Sequence, residues 1–259
     1  MNPLIVISVG NTNIHVGVIQ NSALVASWRA HTETDKTADE YAILFRDFFD
    51  QISPAPSAWR GAIVVSVVPP VTLTLIQLCR EHFRLDPIVV NPTLNLGMPI
   101  RYENPRALGA DRLVGAVAAK QKYGAPVIVV DFGTATTFNA VNRAGEFAGG
   151  AIAPGVNLAA DALYRGTAQL PRIALAVPPR ALATNTVHAI QSGVLFGYVG
   201  LVEGMLGRLR AELGEPDARV IVTGGRAKLI APYVRGIEAV DADLILEGLG
   251  IIYGRLAKT

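Results

Sequence analysis

Residues 126–141 read Pro126-Val127-Ile128-Val129-Val130-Asp131-Phe132-Gly133-Thr134-Ala135-Thr136-Thr137-Phe138-Asn139-Ala140-Val141. A β-branched apolar run ends at Val130, a polar turn centres on Gly133, and a second apolar run goes from Phe138 to Val141. This pattern predicts a strand, a tight glycine turn and a returning strand. The N-terminus repeats the plan. Leu4-Ile5-Val6-Ile7 leads into Ser8-Val9-Gly10-Asn11-Thr12-Asn13, a second apolar run covers Ile14 to Ile19, and Gln20-Asn21-Ser22 reads as a turn. Aligning Asp131 with Ser8 places Gly133 on Gly10. Two copies of one unit, about half a chain apart, form a weak internal repeat and predict two related halves.

Working outward, strands alternate with helices, which indicates an α/β architecture. Thr37-Ala38-Asp39-Glu40 is a capping box. Behind it Tyr41, Leu44, Phe45, Phe48 and Ile52 recur at helical spacing, with Pro54 and Pro56 expected to stop the helix. Ala62 to Val68 reads as a strand ended by Pro69-Pro70, followed by a helix through Leu78 and Phe83 and a short buried strand from Pro87 to Val90. Residues 91–108 are irregular, and a loop of that length inside a compact domain is usually functional. It leads into Gly109-Ala110-Asp111-Arg112 and an alanine-rich helix ending at Gly124. Further on come a long helix from Thr186 to about Leu213, a strand at Val220-Ile221-Val222, Thr223-Gly224-Gly225, and a closing helix through Leu249 and Tyr253. Gly193, Gly197, Gly200 and Gly204 line the long helix. Glycine is costly there, so close packing against a neighbour, such as a second subunit, would explain them.

The chain has 259 residues, 51% apolar and 17% charged, enough for one large domain or two ordinary ones. Each apolar run is broken by glycine, proline or charge before it reaches the eighteen or so residues of a membrane span, so no membrane partner is expected. Met1-Asn2-Pro3 goes directly into a strand with no basic leader, and the single Cys79 suits a reducing compartment; both point to the cytoplasm. The net charge of +2 is scattered, without the basic stripe a nucleic-acid surface shows. His15, His31, His82 and His188 lack metal-site spacing and read as surface or packing residues. Neither a Walker-type phosphate loop nor a hydrolase elbow is present.

Gly10-Asn11-Thr12 can aim backbone N–H groups and a hydroxyl at an anion, because glycine admits close approach of phosphate. Taken alone, it reads first as an ordinary hairpin turn. Asp131-x-Gly133-Thr134 adds a carboxylate at a strand end, suited to a hydrated Mg²⁺ or a monovalent cation near ATP phosphates. Two such turns, with Thr223-Gly224-Gly225 after a later strand, form a constellation.

That constellation resembles the acetate and sugar kinase, chaperone and actin superfamily, in which two phosphate-binding hairpins and a late glycine pair clasp ATP between two domains. Tyr102, Asn104-Pro105, Gly109 to Arg112, Asp131 to Thr136, Gly149-Gly150-Ala151-Ile152-Ala153-Pro154-Gly155 and Asn185 to Gly193 resemble, in order and spacing, type III pantothenate kinase. The likeness runs from Ile7 to about Gly250. It implies two ribonuclease H-like (actin-like ATPase) halves, each a mixed sheet flanked by helices, here 1–118 and 119–259. It implies ATP-dependent phosphorylation of pantothenate to 4'-phosphopantothenate, the first step of coenzyme A synthesis, with Mg²⁺ and K⁺ or NH₄⁺, in a homodimer whose substrate pocket the second subunit completes. Asp111 would be the catalytic base, since a positioned carboxylate can orient a nucleophilic hydroxyl and take its proton. An isolated aspartate there also reads as a helix N-terminal acid. Arg112 would face the acidic substrate or a phosphate, with a surface salt bridge as the plainer role. Tyr102, Gly109, Ala110 and Thr186 would complete the substrate contacts, Thr186 reading equally as a helix N-cap. Ser8, Val9, Gly10, Asn11, Thr12, Asn13, Thr134, Gly224 and Gly225 would contact ATP, and Asp131 the monovalent cation.

One position departs from the family pattern. The first motif normally begins with aspartate, and here that position is Ser8. Serine is neutral and a poorer partner for a hard divalent cation. Three accounts fit: Asp131 carries the metal alone, the enzyme is weakened, or the chain is an inactive homologue acting as a binding or regulatory protein. A different phosphotransferase or phosphatase of the superfamily would leave Gly109 to Arg112 and Asn185 to Gly193 unexplained.

Overall fold

Both glycine turns join antiparallel strands. The structure is a computed structural model, and it describes residues 2–52 and 58–257. β1 (Leu4–Val9) pairs antiparallel with β2 (Asn13–Gln20), Val9 opposite Ile14 and Ser8 opposite His15. β3 (Ala23–His31) continues the meander. After α1 (Ala38–Phe49) the chain returns as β4 (Gly61–Ser66), parallel to β1, then α2 (Pro69–His82) and β5 (Ile88–Val89), giving the order β3-β2-β1-β4-β5. The strand period of two sends Ile5, Ile7 and Val9 to one face, where they meet Tyr41 and Phe45 of α1 and Leu75 and Leu78 of α2. Each fully buried side chain of this size contributes about 1.5–3 kcal/mol. The capping box at Thr37 is present, Glu40 Oε2 accepting from the Thr37 N–H at 2.8 Å. Helix α1 ends at Phe49; Pro54 and Pro56, expected to stop it, lie outside the described residues.

The second sheet repeats this plan. β6 (Val127–Phe132) and β7 (Ala135–Val141) form the hairpin, and β8 (Phe147–Pro154) extends it. Then come α4 (Val156–Gly166), α5 (Thr186–Leu213), β9 (Arg219–Thr223) parallel to β6, α6 (Ala227–Ile230) and β10 (Ala239–Val240). The order β10-β9-β6-β7-β8 is the first sheet's order read from the other edge. The expected mixed α/β halves are therefore both present. Ile128, Val130 and Phe132 face Leu195, Tyr198 and Val202 of α5. Helix α5 reaches the length and mean hydropathy, 1.4, of a membrane span, and half of that window is buried. The glycines that interrupt its apolar run lower that average only slightly, which is why counting unbroken apolar runs passes it over.

The α3 helix (Ala110–Tyr123) follows the 91–108 loop, and α7 (Leu244–Leu256) closes the chain. Two compact units result: Met1–Met98 with Glu103–Ala118 and Asp243–Thr259, and Pro99–Tyr102 with Ala119–Ala242. Residues 243–259, expected in the second half, thus cluster with the first. Glycine contacts explain it: a Cβ on Gly248 would lie 2.7 Å from the Val114 carbonyl oxygen, and one on Gly17 2.8 Å from Leu246. Helix α7 seats on α3 and β2 only because those positions have no side chain. Residues 99–102 join the second unit through a bridge between Ile100 and Phe147.

Candidate active site

In the first unit the Gly10 N–H donates to the Asn13 carbonyl at 2.9 Å, closing the turn. Val9 is buried beneath it, while Asn11, Thr12 and Asn13 are exposed. A Cβ at Gly10 would meet only the Asn13 oxygen, at 3.5 Å, an ordinary contact. Nothing among the described residues therefore demands glycine there, and the open side leaves room for close approach of a ligand. Ser8, half-buried, is paired with His15. The His15 Nε2 lies 3.4 Å from Asp243 Oδ1. Burial first, then the charge of Arg29, pushes its pKa down to about 4 against the pull of Asp243. The Ser8 position thus faces a neutral imidazole at neutral pH.

Asp111 occupies the first turn of α3 in the same unit. Its Oδ1 accepts from the Arg112 N–H at 2.8 Å. A Cβ on Gly109 would stand 2.6 Å from that oxygen, so glycine is what makes room for the carboxylate. Burial raises the Asp111 pKa, overcoming the lowering effects of the Arg112 N–H and guanidinium. A carboxylate so placed holds a proton more tightly than an exposed one, which is what a general base needs. Arg112 is only 7% exposed and Ala110 is also buried. A buried guanidinium is held by specific partners, so the surface salt bridge reading does not apply.

In the second unit Asp131 is the penultimate residue of β6, opposite Thr137 on one side and Thr223 on the other. Gly133 N–H donates to the Ala135 carbonyl at 3.1 Å, which makes this turn one residue shorter than the first. Gly224 has φ +94°, and a Cβ on it would lie 2.3 Å from Asp131 Oδ1 and 2.7 Å from Phe132 backbone atoms. The glycine pair is thus seated on the hairpin, and Gly225 alone faces open space. Thr134 is exposed. Among the described residues no group of three or more His, Cys, Asp or Glu side chains could hold a metal by itself. A hydrated Mg²⁺ or a monovalent cation shared between one carboxylate and nucleotide phosphates fits Asp131, whereas an all-protein cage does not.

Tyr102 is 37% exposed, its ring edge-on to Phe147 at 6.3 Å. Thr186 is exposed in the first turn of α5. It is not the helix cap: Asn185 is, accepting from the His188 N–H at 2.9 Å. Thr186, Leu163, Ile190, Gly193 and Tyr198 line an open apolar cavity of about 530 Å³ between α4 and α5. A Cβ at Gly193, Gly197 or Gly200 would meet nothing within 4 Å. The neighbour expected against that glycine stripe is therefore not supplied by the described chain.

The model of the type III pantothenate kinase family matches residues 4–208. A type III pantothenate kinase of Citrifermentans bemidjiense is 49% identical over 97% of this chain and 99% of its own. One from Myxococcus xanthus is 47% identical over 97% and 98%. The chain belongs to this family. Solved structures of much lower identity show the same fold. Component A of the (R)-2-hydroxyglutaryl-CoA dehydratase of Acidaminococcus fermentans has a TM-score of 0.59 at 12% identity, covering 100% of both chains. A ROK family glucokinase of Streptomyces griseus has 0.51 at 12% identity, covering 95% of this chain and 97% of its own.

Several supporting residues of this type III pantothenate kinase fold carried no local signal. Thr32, just past β3, donates its hydroxyl to the Gly10 carbonyl at 2.7 Å and its N–H to Thr12 at 3.0 Å, bracing the first turn. Gly155 N–H donates to the Thr134 carbonyl at 3.1 Å, bracing the second. Only Gly155 stood within a recognised motif.

Proposed function

We propose that this chain transfers the γ-phosphoryl group of ATP to the primary hydroxyl of pantothenate, giving 4'-phosphopantothenate and ADP. What carries the reading is near-full-length relation to enzymes of that name. The buried Asp111 with its raised pKa supports it. The hydroxyl oxygen attacks the γ-phosphorus as the bond to the β-bridging oxygen breaks, and the hydroxyl proton passes to the Asp111 carboxylate. In a loose transition state that proton moves late, so Asp111 serves chiefly to aim the oxygen. Arg112, Tyr102, Gly109, Ala110 and Thr186 hold pantothenate. Ser8 to Asn13, Thr134, Gly224 and Gly225 hold ATP through backbone N–H groups and hydroxyls. Asp131 holds the cation. Bound Mg²⁺ would neutralise charge across the β- and γ-phosphates, and K⁺ or NH₄⁺ would add to it.

The active form is a homodimer built on α5, in the cytoplasm. Gly193, Gly197 and Gly200, where a Cβ would meet no described residue within 4 Å, and the apolar cavity beside them support that assembly. The test is pantothenate-dependent ADP formation with Mg²⁺ and K⁺, for this chain and for Asp111→Asn. Activity in the parent and a loss of about 10²–10⁴ in the variant is expected from removal of a general base. A variant as active as the parent would remove Asp111 from the mechanism.

A further inference from the structure

The phenol of Tyr198 is 5% exposed and sits midway along α5. Its oxygen lies 3.0 Å from the Pro154 carbonyl and in direct hydrogen-bond contact with the Thr136 hydroxyl. A phenol has one proton, and a carbonyl can only accept. The Tyr198 O–H therefore donates to Pro154, and Thr136 donates to the Tyr198 oxygen. The tyrosine ring also packs on Phe132, centroids 6.4 Å apart.

These three contacts converge on one place. Phe132 lies between Asp131 and Gly133. Thr136 is fully buried, pairing with Phe132 on one side and Ala153 on the other. Pro154 pairs with Ala135 and precedes Gly155, which bonds the Thr134 carbonyl. One side chain from α5 thus grips both arms of the Gly133 turn and the strand beside it. The opposite surroundings of Tyr198 are the cavity that Thr186 also lines.

We infer that Tyr198 is a positioning residue for the second phosphate turn, holding Asp131 to Thr134 in the geometry that receives ATP. The inference rests on the kinase reading for its consequence and on the hydrogen bonds alone for its mechanism. Loss of the hydroxyl leaves the fold's apolar contacts intact, because phenylalanine keeps the ring on Phe132. What it removes is the link between α5 and the turn.

The experiment uses Tyr198→Phe, Thr136→Val and the double variant in the full chain. It reads KM for ATP and for pantothenate, calorimetric affinity for a non-hydrolysable ATP analogue, and amide hydrogen exchange over residues 131–137. A rise in KM for ATP of about tenfold is expected from one lost buried hydrogen bond. Analogue affinity falls in step, exchange at the turn quickens, and KM for pantothenate stays put. Tyr198→Phe, which loses both hydrogen bonds, matches the double variant, and Thr136→Val, which keeps the bond from Tyr198 to Pro154, loses less. Unchanged exchange at the turn overturns the inference. So does quicker exchange with unchanged ATP KM and affinity, which would make Tyr198 a packing residue only. If the parent chain turns over no pantothenate, the kinase reading fails by itself, and exchange with analogue affinity still decides the role of Tyr198.

Discussion

Gly224 and Gly225 are adjacent, yet adding one methyl group to each should have opposite consequences. At Gly224 φ is +94°, and a Cβ would stand 2.3 Å from Asp131 Oδ1 and 2.7 Å from the Phe132 nitrogen and carbonyl carbon. An L-residue with positive φ costs about 1–2 kcal/mol. Overpacking against backbone, which cannot swing aside, adds about 1–3 kcal/mol. Gly224→Ala is therefore expected to lose about 2–5 kcal/mol, a fall in Tm of roughly 5–20 °C for a chain of this size. At Gly225 nothing lies within 4 Å. Gly225→Ala should keep Tm or raise it slightly, through about 0.4–1 kcal/mol of added stability from the stiffer unfolded chain. Its cost should fall on ATP, whose KM is expected to rise because the methyl fills space the ligand needs. Thermal denaturation and initial rates at varied ATP, measured on both variants, provide the assay. Equal Tm values for the two, or a Gly225→Ala protein with unaltered ATP KM, would refute the division between a packing glycine and a ligand-facing one.

Burial raises the Asp111 pKa, so its ionised form is strained in the native state. Protonation favours the folded chain, and stability falls as pH rises from the unfolded value through the folded one. Asp111→Asn should accordingly match or exceed the parent Tm at neutral pH while losing activity, as active-site acids often show. The acid limb of the pH–rate profile should sit above the ordinary carboxylate range. His15 works in the opposite sense: its pKa is lowered to about 4, so stability is lost as pH falls from about 6.5 towards 4 and no further below. The loss is about 3 kcal/mol from this group, and urea midpoints should be flatter across that window in His15→Gln. Gly200→Leu probes the proposed α5 dimer, since a Cβ at this position meets no atom of the described residues within 4 Å. It should leave the subunit folded and shift sedimentation to the monomer; an unchanged dimer would remove α5 from the interface.

The parts of the fold set by short-range pattern were legible. The two hairpins follow from β-branched runs broken by glycine, α1 from its capping box, and α5 from its length. Strand β3 was not read, because no residue of it is fully buried: partly buried Leu24, Ala26, Trp28 and Ala30 alternate with exposed positions that include Ser27, Arg29 and His31. An edge strand of that kind has only a thin apolar face, two of whose four residues are alanine. Strand β8 carries Gly149 and Gly150, residues depleted in strands, so its sequence read as a motif and not as an element. The return of α7 to the first unit depends on Gly248 and Gly17, each chosen by a distant partner. The site shows the same split. Gly10, Asp131 and Gly224 announced themselves through turn chemistry, and Asp111 through the family resemblance. Thr32 and Tyr198 support those turns from 22 and 62 residues away, and nothing near them in sequence marks that role.

The central claim is most directly tested by following γ-phosphate label from ATP into pantothenate, with Mg²⁺ and K⁺, for the chain as it stands and for Ser8→Asp. Label in 4'-phosphopantothenate from both proteins is the predicted result, with Asp131 sufficient for the cation and the Ser8→Asp protein at least as fast. No label from either protein, when both are folded and bind ATP, would contradict it.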